Sequence, residues 1–297
     1  MVLTLISFPT ILDTFPARAS EFIRRVIMIL SRNLSPDDFG LFVFGSLSHN
    51  RDTVNIENGT SDADLLVIVA DHGRGSMKKT WKELNALEQV FFDPGIQKRG
   101  IVASILRAVE RQTGMHENIF LTKLSDFKNA RFSSIFKTNE IISKILAPST
   151  IVMGSALCHM TFVFGNKEFD ASVKQMHASL KRENELLTDL FKSLLMNTVL
   201  TLGGIFLLPL TPRATRYAIE ATKWSLYAAT YSISGERPSK KIQRRFFKQI
   251  GVSPAFLDRW LQLSEHYVSD TSFTLQALWN VIKIHCLGFK IKSTTRS

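Results

Sequence analysis

The sequence predicts an α+β chain, with a small mixed sheet flanked by helices in residues 1–168 and an all-helical bundle in 169–297. Three observations lead there. Two short, wholly apolar runs, Leu41-Phe42-Val43-Phe44 and Leu65-Leu66-Val67-Ile68-Val69, read as buried strands. Around them, residues 17–33 and 77–92 repeat apolar side chains at helical spacing. From about Asp170 onward each periodic segment is helical, and Pro209, Pro212, Gly235, Pro238 and Pro254 punctuate the series.

The elements follow in order. Residues 17–33 place Phe22, Val26, Ile27 and Leu30 on one helical face, and Ser35-Pro36-Asp37-Asp38 ends the pattern. The first strand, at 41–44, runs straight into Gly45-Ser46. Residues 50–61 are polar, contain Asn58-Gly59 and form a loop before the second strand. Residues 77–92 carry Trp81, Leu84, Leu87 and Phe91 near helical spacing, and 99–113 give a further helix. Residues 117–124 read as a third strand and 131–147 as a helix, while 150–164 fits either. Helices are then expected at 173–200, 213–232, 240–250, 254–267 and 273–287.

Composition narrows the class. A chain of 297 residues, 45% hydrophobic and 21% charged, is globular and long enough for two domains, which excludes fibrous and disordered classes. A net charge of +11 and a pI near 9.7 favour polyanionic partners, nucleotide or nucleic acid. Cys158 and Cys286 form no C-x-x-C pair, so neither a zinc site nor a disulfide framework is implied, and a reducing, cytoplasmic setting is expected. The short apolar N-terminus lacks the basic region of a signal peptide. Residues 193–212 hold no charge, close to the ~20 residues of a membrane span. Asn197, Gly203-Gly204 and Pro209 within them favour a buried central helix of a bundle instead, and a membrane partner is not expected.

The chemistry concentrates in LFVFGSLSHNRDTVNIENGTSDADLLVIV. Asp62-Ala63-Asp64 opens the second strand, and strand residues two apart share a face, so Asp62 and Asp64 present two carboxylates together. Adjacent carboxylates repel unless a cation sits between them, and a hard divalent ion with oxygen ligands, Mg²⁺ above all, suits the pair. A glycine before Ser46 lets backbone N–H groups approach phosphate oxygens, with the hydroxyl as a further donor.

This order of apolar strand, Gly-Ser, spacer and Asp-x-Asp leading an apolar strand resembles the nucleotidyltransferase superfamily of the polymerase-β type. The likeness covers residues 40–70 closely and 17–125 loosely. It implies a nucleotidyltransferase domain in 1–168, Asp62 and Asp64 as metal ligands, and Gly45 and Ser46 as binders of a nucleoside triphosphate such as ATP. It also implies a third carboxylate, acting as general base on the attacking hydroxyl. Glu117, opening the third strand, is the first candidate for it and Asp126 the second. The implied reaction moves a nucleotidyl group to an acceptor hydroxyl of a small molecule, a nucleic acid or a protein and releases pyrophosphate. Lys78, Lys79 and Lys82 are candidates to neutralise the triphosphate, against their reading as a solvated helix face.

In the helical half, Tyr217, Trp224 and Tyr231 recur every seven residues, a core stripe before a stacking surface for a base or sugar. Glu220 and Lys223 are spaced to pair. Residues 237–251 gather Arg237, Lys240, Lys241, Arg244, Arg245 and Lys248, a solvated face or a phosphate-tracking patch for nucleic acid. Arg259 with His266 loosely resembles the ribonuclease motif of HEPN helical domains. Two other readings therefore stand beside the enzyme: a degenerate nucleotide- or RNA-binding module, and an RNase unit acting through the helices.

Overall fold

The structure is a computed structural model that describes residues 10–49, 64–72, 74–91, 118–180, 185–235, 248 and 253–294. The chain is α+β, with a four-stranded mixed sheet and a largely helical remainder. It divides into two compact units, Met1–Asn139 with His159–Met176, and Glu140–Cys158 with His177–Ser297. Where the sequence suggests one cut after residue 168, the units exchange segments: 140–158 go with the helices, and 169–176 stay with the sheet.

In the first unit, helix α1 (Ala17–Asn33) leads through a 3₁₀ turn (Pro36–Asp38) to strand β1 (Phe39–Phe44) and the one-turn helix α2 (Ser46–His49). Strand β2 (Asp64–Val69), helix α3 (Arg74–Phe91) and strand β3 (Ile119–Lys123) follow. Two short helices, α4 (Leu124–Lys128) and α5 (Phe132–Ile135), come next, and strand β4 (Thr161–Gly165) completes the sheet. Strand order is β3-β2-β1-β4. β1 runs antiparallel to β2 and β4, while β2 and β3 are parallel, as expected when a helix bridges them.

Period-two alternation gives the sheet two apolar faces. One presents Leu41, Val43, Leu65, Val67 and Leu121 to α1, which buries the stripe its sequence announces, Phe22, Val26, Ile27 and Leu30, and to Leu84 of α3. Each such buried side chain contributes roughly 1.5–3 kcal/mol. The other face is aromatic: Phe42 meets Phe162 edge-on at 5.5 Å, Phe44 lies 5.7 Å from Phe120, and Phe120 lies 5.3 Å from Phe136.

Among the described residues the second unit is all helix. Helices α6 (Glu140–Leu146) and α7 (Ser149–Leu157) come first. Helix α8 (Glu168–Leu180) enters it from residue 177, and then come α9 (Leu186–Leu207), α10 (Ala214–Ser234), α11 (Pro254–Glu265) and α12 (Thr271–Thr294). The expected helix at 131–147 is broken, because Lys137 takes a left-handed φ of 52° between α5 and α6. The ambiguous 150–164 resolves into helix α7 followed by strand β4. The expected helices at 99–113 and 240–250 lie outside the described residues, apart from Lys248.

Two features differ from a plain apolar bundle. Asp189 of α9 is buried, and its Oδ2 accepts from the N–H groups of Thr150 at 2.6 Å and Ile151 at 3.4 Å, capping α7 from a neighbouring helix. Burial raises its pKa, against the opposing pull of these bonds and of Lys192. The expected central helix, α9, is buried on one face alone. Leu190, Ser193, Asn197, Leu200 and Gly204 face inward, while Phe191, Val199 and Phe206 are exposed. An uncharged stretch does not say which of its faces meets a neighbour, so the sequence could not show this.

Candidate functional site

Among the described residues, the end of the β1–β2 ladder is built from neighbouring backbone and the Asp64 carboxylate. Phe44 and Asp64 are the last register pair, so the residue leaving β1 and the residue entering β2 stand side by side. Gly45 follows with φ +75°, a conformation that strongly favours glycine. It turns the chain into α2, which opens at Ser46 and whose Ser48 Oγ donates back to the Gly45 carbonyl at 3.2 Å. Asp64 is half-buried, and its Oδ2 occupies the place where a Cβ on residue 45 would stand. Glycine thus serves twice here, for the turn and for the approach of the carboxylate.

Leu65 of β2, Asn118 just before β3 and Glu88 of α3 extend this end. Leu65 donates its N–H to the Asn118 carbonyl at 2.7 Å, pinning the start of β3 beside the start of β2. Asn118 is buried, and its own N–H is received by Glu88 Oε1 of α3. Glu88 is a buried carboxylate outside the Gly-Ser…Asp-x-Asp motif. Its signal was present, since it sits four residues after Leu84 on the inward stripe of its helix, where an acid is out of place.

Of the sequence-derived residues, Gly45 and Asp64 are brought together, with the backbone of Ser46 opening the adjoining helix. Asp62 and Glu117 lie outside the described residues; by chain order Asp62 precedes β2 by two residues, and Glu117 precedes Asn118. Asp126 is at the opposite end. β2 and β3 are parallel, with Leu65 beside Ile119 and Val69 beside Lys123, so a residue after Lys123 is removed from Asp64 by the strand's length, about 15 Å. Asp126 there pairs with Arg131 at 3.1 Å. That far end has its own carboxylate, Asp71, which accepts from Ser125 Oγ at 2.6 Å; this bond leads the causes that hold its pKa low. Among the described residues no group of three or more His, Cys, Asp or Glu gathers.

Lys78, Lys79 and Lys82 are exposed on α3. In the helical unit Tyr217 and Tyr231 are core and Trp224 is half-buried, and Lys223 pairs with Glu220 at 2.9 Å. Arg259 Nε donates to Asp270 Oδ2 at 2.6 Å and Nη1 to Gln262 at 2.7 Å. Tyr267 donates to the Pro212 carbonyl at 2.6 Å, and His266 is exposed just past α11. Arg259 is thereby committed to an ion pair that joins α11 to the start of α12. The basic segment 237–251 lies outside the described residues except for Lys248, which is exposed. No protein-family model, no curated protein and no solved structure matches this chain.

Proposed function

We propose that the chain is a Mg²⁺-dependent nucleotidyltransferase of the polymerase-β type, with its site at the Gly45/Asp64 end of the sheet. The observation that supports this best is the meeting of the left-handed Gly45, at the mouth of a helix, with the Asp64 carboxylate leading the adjacent antiparallel strand. A glycine turn opening a helix offers backbone N–H groups to phosphate. A carboxylate beside it offers hard oxygen to a divalent ion, so the donor chemistry fits Mg²⁺. Asp62 and Asp64 would hold the ion, which when bound supplies neutralisation of phosphate charge.

The reaction read from this site is attack by an acceptor hydroxyl on the α-phosphorus of a nucleoside triphosphate, with pyrophosphate leaving. Gly45 and Ser46 bind and orient the phosphates. Glu117 takes the proton of the attacking hydroxyl, in preference to Asp126, which follows the far end of β3. Glu88 positions the start of β3, one residue on from Glu117.

The test is Mg²⁺-dependent pyrophosphate release from each of four labelled triphosphates in the presence of cell extract as acceptor source. Asp62→Ala and Asp64→Asn should abolish release while the melting temperature holds. Saturable triphosphate binding without release by the wild type would instead make the chain a binding module.

A further inference from the structure

Helix α9 of the second unit turns large apolar groups outward and several polar groups inward. This helix exposes Phe191, Leu195, Val199, Leu202 and Phe206, spaced four, four, three and four residues, in one stripe about 22 Å long. Phe191 is 59% and Phe206 74% exposed. The inward face of the same helix carries Asp189, Ser193, Asn197 and Thr201 among Leu186, Leu190 and Leu200, all buried. A water-facing helix of a soluble bundle is arranged the other way round.

The inward contacts match this inversion. Asn197 donates to Ser193 Oγ at 3.1 Å, and Ser193 also meets Nε2 of the buried His285 of α12 at 3.1 Å. Thr201, Thr222, Ser225 and Thr230 return their hydroxyls to carbonyls four residues back in their own helices. Gly204 lies so close to α10 that a Cβ on it would meet the Ala214 carbonyl oxygen at 3.0 Å. An outward stripe of large apolar groups on a helix whose polar groups lie on its other face gives the amphipathic pattern of a helix seated in a lipid interface.

Charge points the same way. The second unit holds 18 lysines and arginines against 9 aspartates and glutamates, so it carries +9 of the chain's +11. None of these charges falls within 193–212; Lys192 and Arg213 stand at the two edges of that stretch. On α12, Trp279 is 61% exposed, with the Lys283 ammonium 5.6 Å from its ring, the amphipathic pairing found at headgroup depth.

We propose that this unit docks on an anionic lipid bilayer, with the α9 stripe seated at the headgroup–acyl boundary and Lys192 and Arg213, at the edges of its uncharged stretch, near lipid phosphates. The helix lies on the bilayer and does not cross it, because its apolar groups are open on one stripe alone and its other face holds the Asp189 carboxylate that caps α7. A second copy of the chain would cover the same stripe, but it would set two units of +9 against each other. This inference does not rest on nucleotidyl transfer, and its test reads no catalysis.

The test is co-sedimentation of the full chain with vesicles of equal parts phosphatidylglycerol and phosphatidylcholine, compared with phosphatidylcholine alone. Binding is expected with the first and not the second. The triple variant Phe191→Ser, Val199→Ser, Phe206→Ser should lose at least about a hundredfold in affinity with its melting temperature unchanged. Phe206→Ser alone, at the most exposed position, should lose about tenfold, and it serves if the triple variant melts early. The proposal is overturned by equal binding to both vesicle types or by unchanged binding of the Phe206→Ser chain. It is also overturned by absence of binding, including the case where sedimentation shows a dimer that the same substitutions split.

Discussion

At Gly45, one residue type answers two demands at once. Its φ of +75° costs an L-residue about 1–2 kcal/mol, and the space a Cβ needs is held by Asp64 Oδ2. Gly45→Ala should therefore destabilise the chain by about 2–4 kcal/mol in a urea titration. With Asp64→Ala added, the steric part should return while the dihedral part remains. Strict additivity of the two substitutions would contradict the close approach. Tyr231 is the opposite case. Its hydroxyl is buried and, among the described residues, has no hydrogen-bond partner, and burial leads the causes that push its pKa up. Its ring packs where a side chain on Gly154 would stand. Tyr231→Phe keeps that packing and removes a desolvated hydroxyl, so stability should hold or rise by about 1 kcal/mol. A loss of that size in the melting curve would mean the hydroxyl has a partner. At this scale the sequence was informative where a residue type breaks a local rule. Gly45 and Asp64 stood out at strand ends, and Glu88 could have stood out on an apolar helix stripe. Nothing in the neighbours of Tyr231 announces an unsatisfied hydroxyl.

Among elements, the clearest dependence is that of α7 on α9. Helix α7 begins after Pro148 without a side-chain cap of its own, and Asp189 supplies the acceptor from 39 residues away. Asp189→Ala leaves two buried N–H groups without that acceptor and should cost about 1–3 kcal/mol. Asp189→Asn, which keeps an acceptor oxygen, should cost less. Equal losses for the two variants in chemical denaturation would place the effect in charge and not in capping. Strongly periodic or purely apolar segments were legible, including α1, β1, β2 and β3. Strand β4 was not, because residues 150–164 are apolar without a period, and helix and strand then look alike until they pack. The break at Lys137 was not either, since a left-handed lysine carries no sequence mark. The contact of Asp189 with α7 spans too many residues for any local pattern to show it.

The helical unit as a whole carries a pH response. His285 is buried, and burial lowers its pKa to about 4, with the Val281 carbonyl opposing. The folded chain thus keeps this ring neutral, while the unfolded chain binds a proton below about 6.5. The unfolded state therefore holds more protons between these values, and stability falls as pH falls from about 6.5 to about 4, by at most roughly 3 kcal/mol. Asp189, whose pKa is raised, acts in the other sense: keeping its proton favours the folded state as pH drops through the carboxylate range. His285→Gln should remove the histidine slope, seen as urea midpoints at pH 7 and pH 4.5 that differ less than in the wild type. An unchanged difference would mean that the ring is solvated. The sequence changes character near residue 170, and the chain divides into two compact units that exchange segments on either side of that point. The exchange of 140–158 for 169–176 was not legible in the sequence, because it depends on which elements pack together and not on the character of the segments.

Asp64, whose carboxylate touches the glycine turn, is the most direct handle on the proposed chemistry. The decisive measurement is Mg²⁺-dependent pyrophosphate release by the full chain and by Asp64→Asn, at matched melting temperatures. The expected result is release by the wild type and a loss of at least about a hundredfold in the variant, as removal of several kcal/mol of transition-state stabilisation requires. Release that survives Asp64→Asn unchanged would contradict the account.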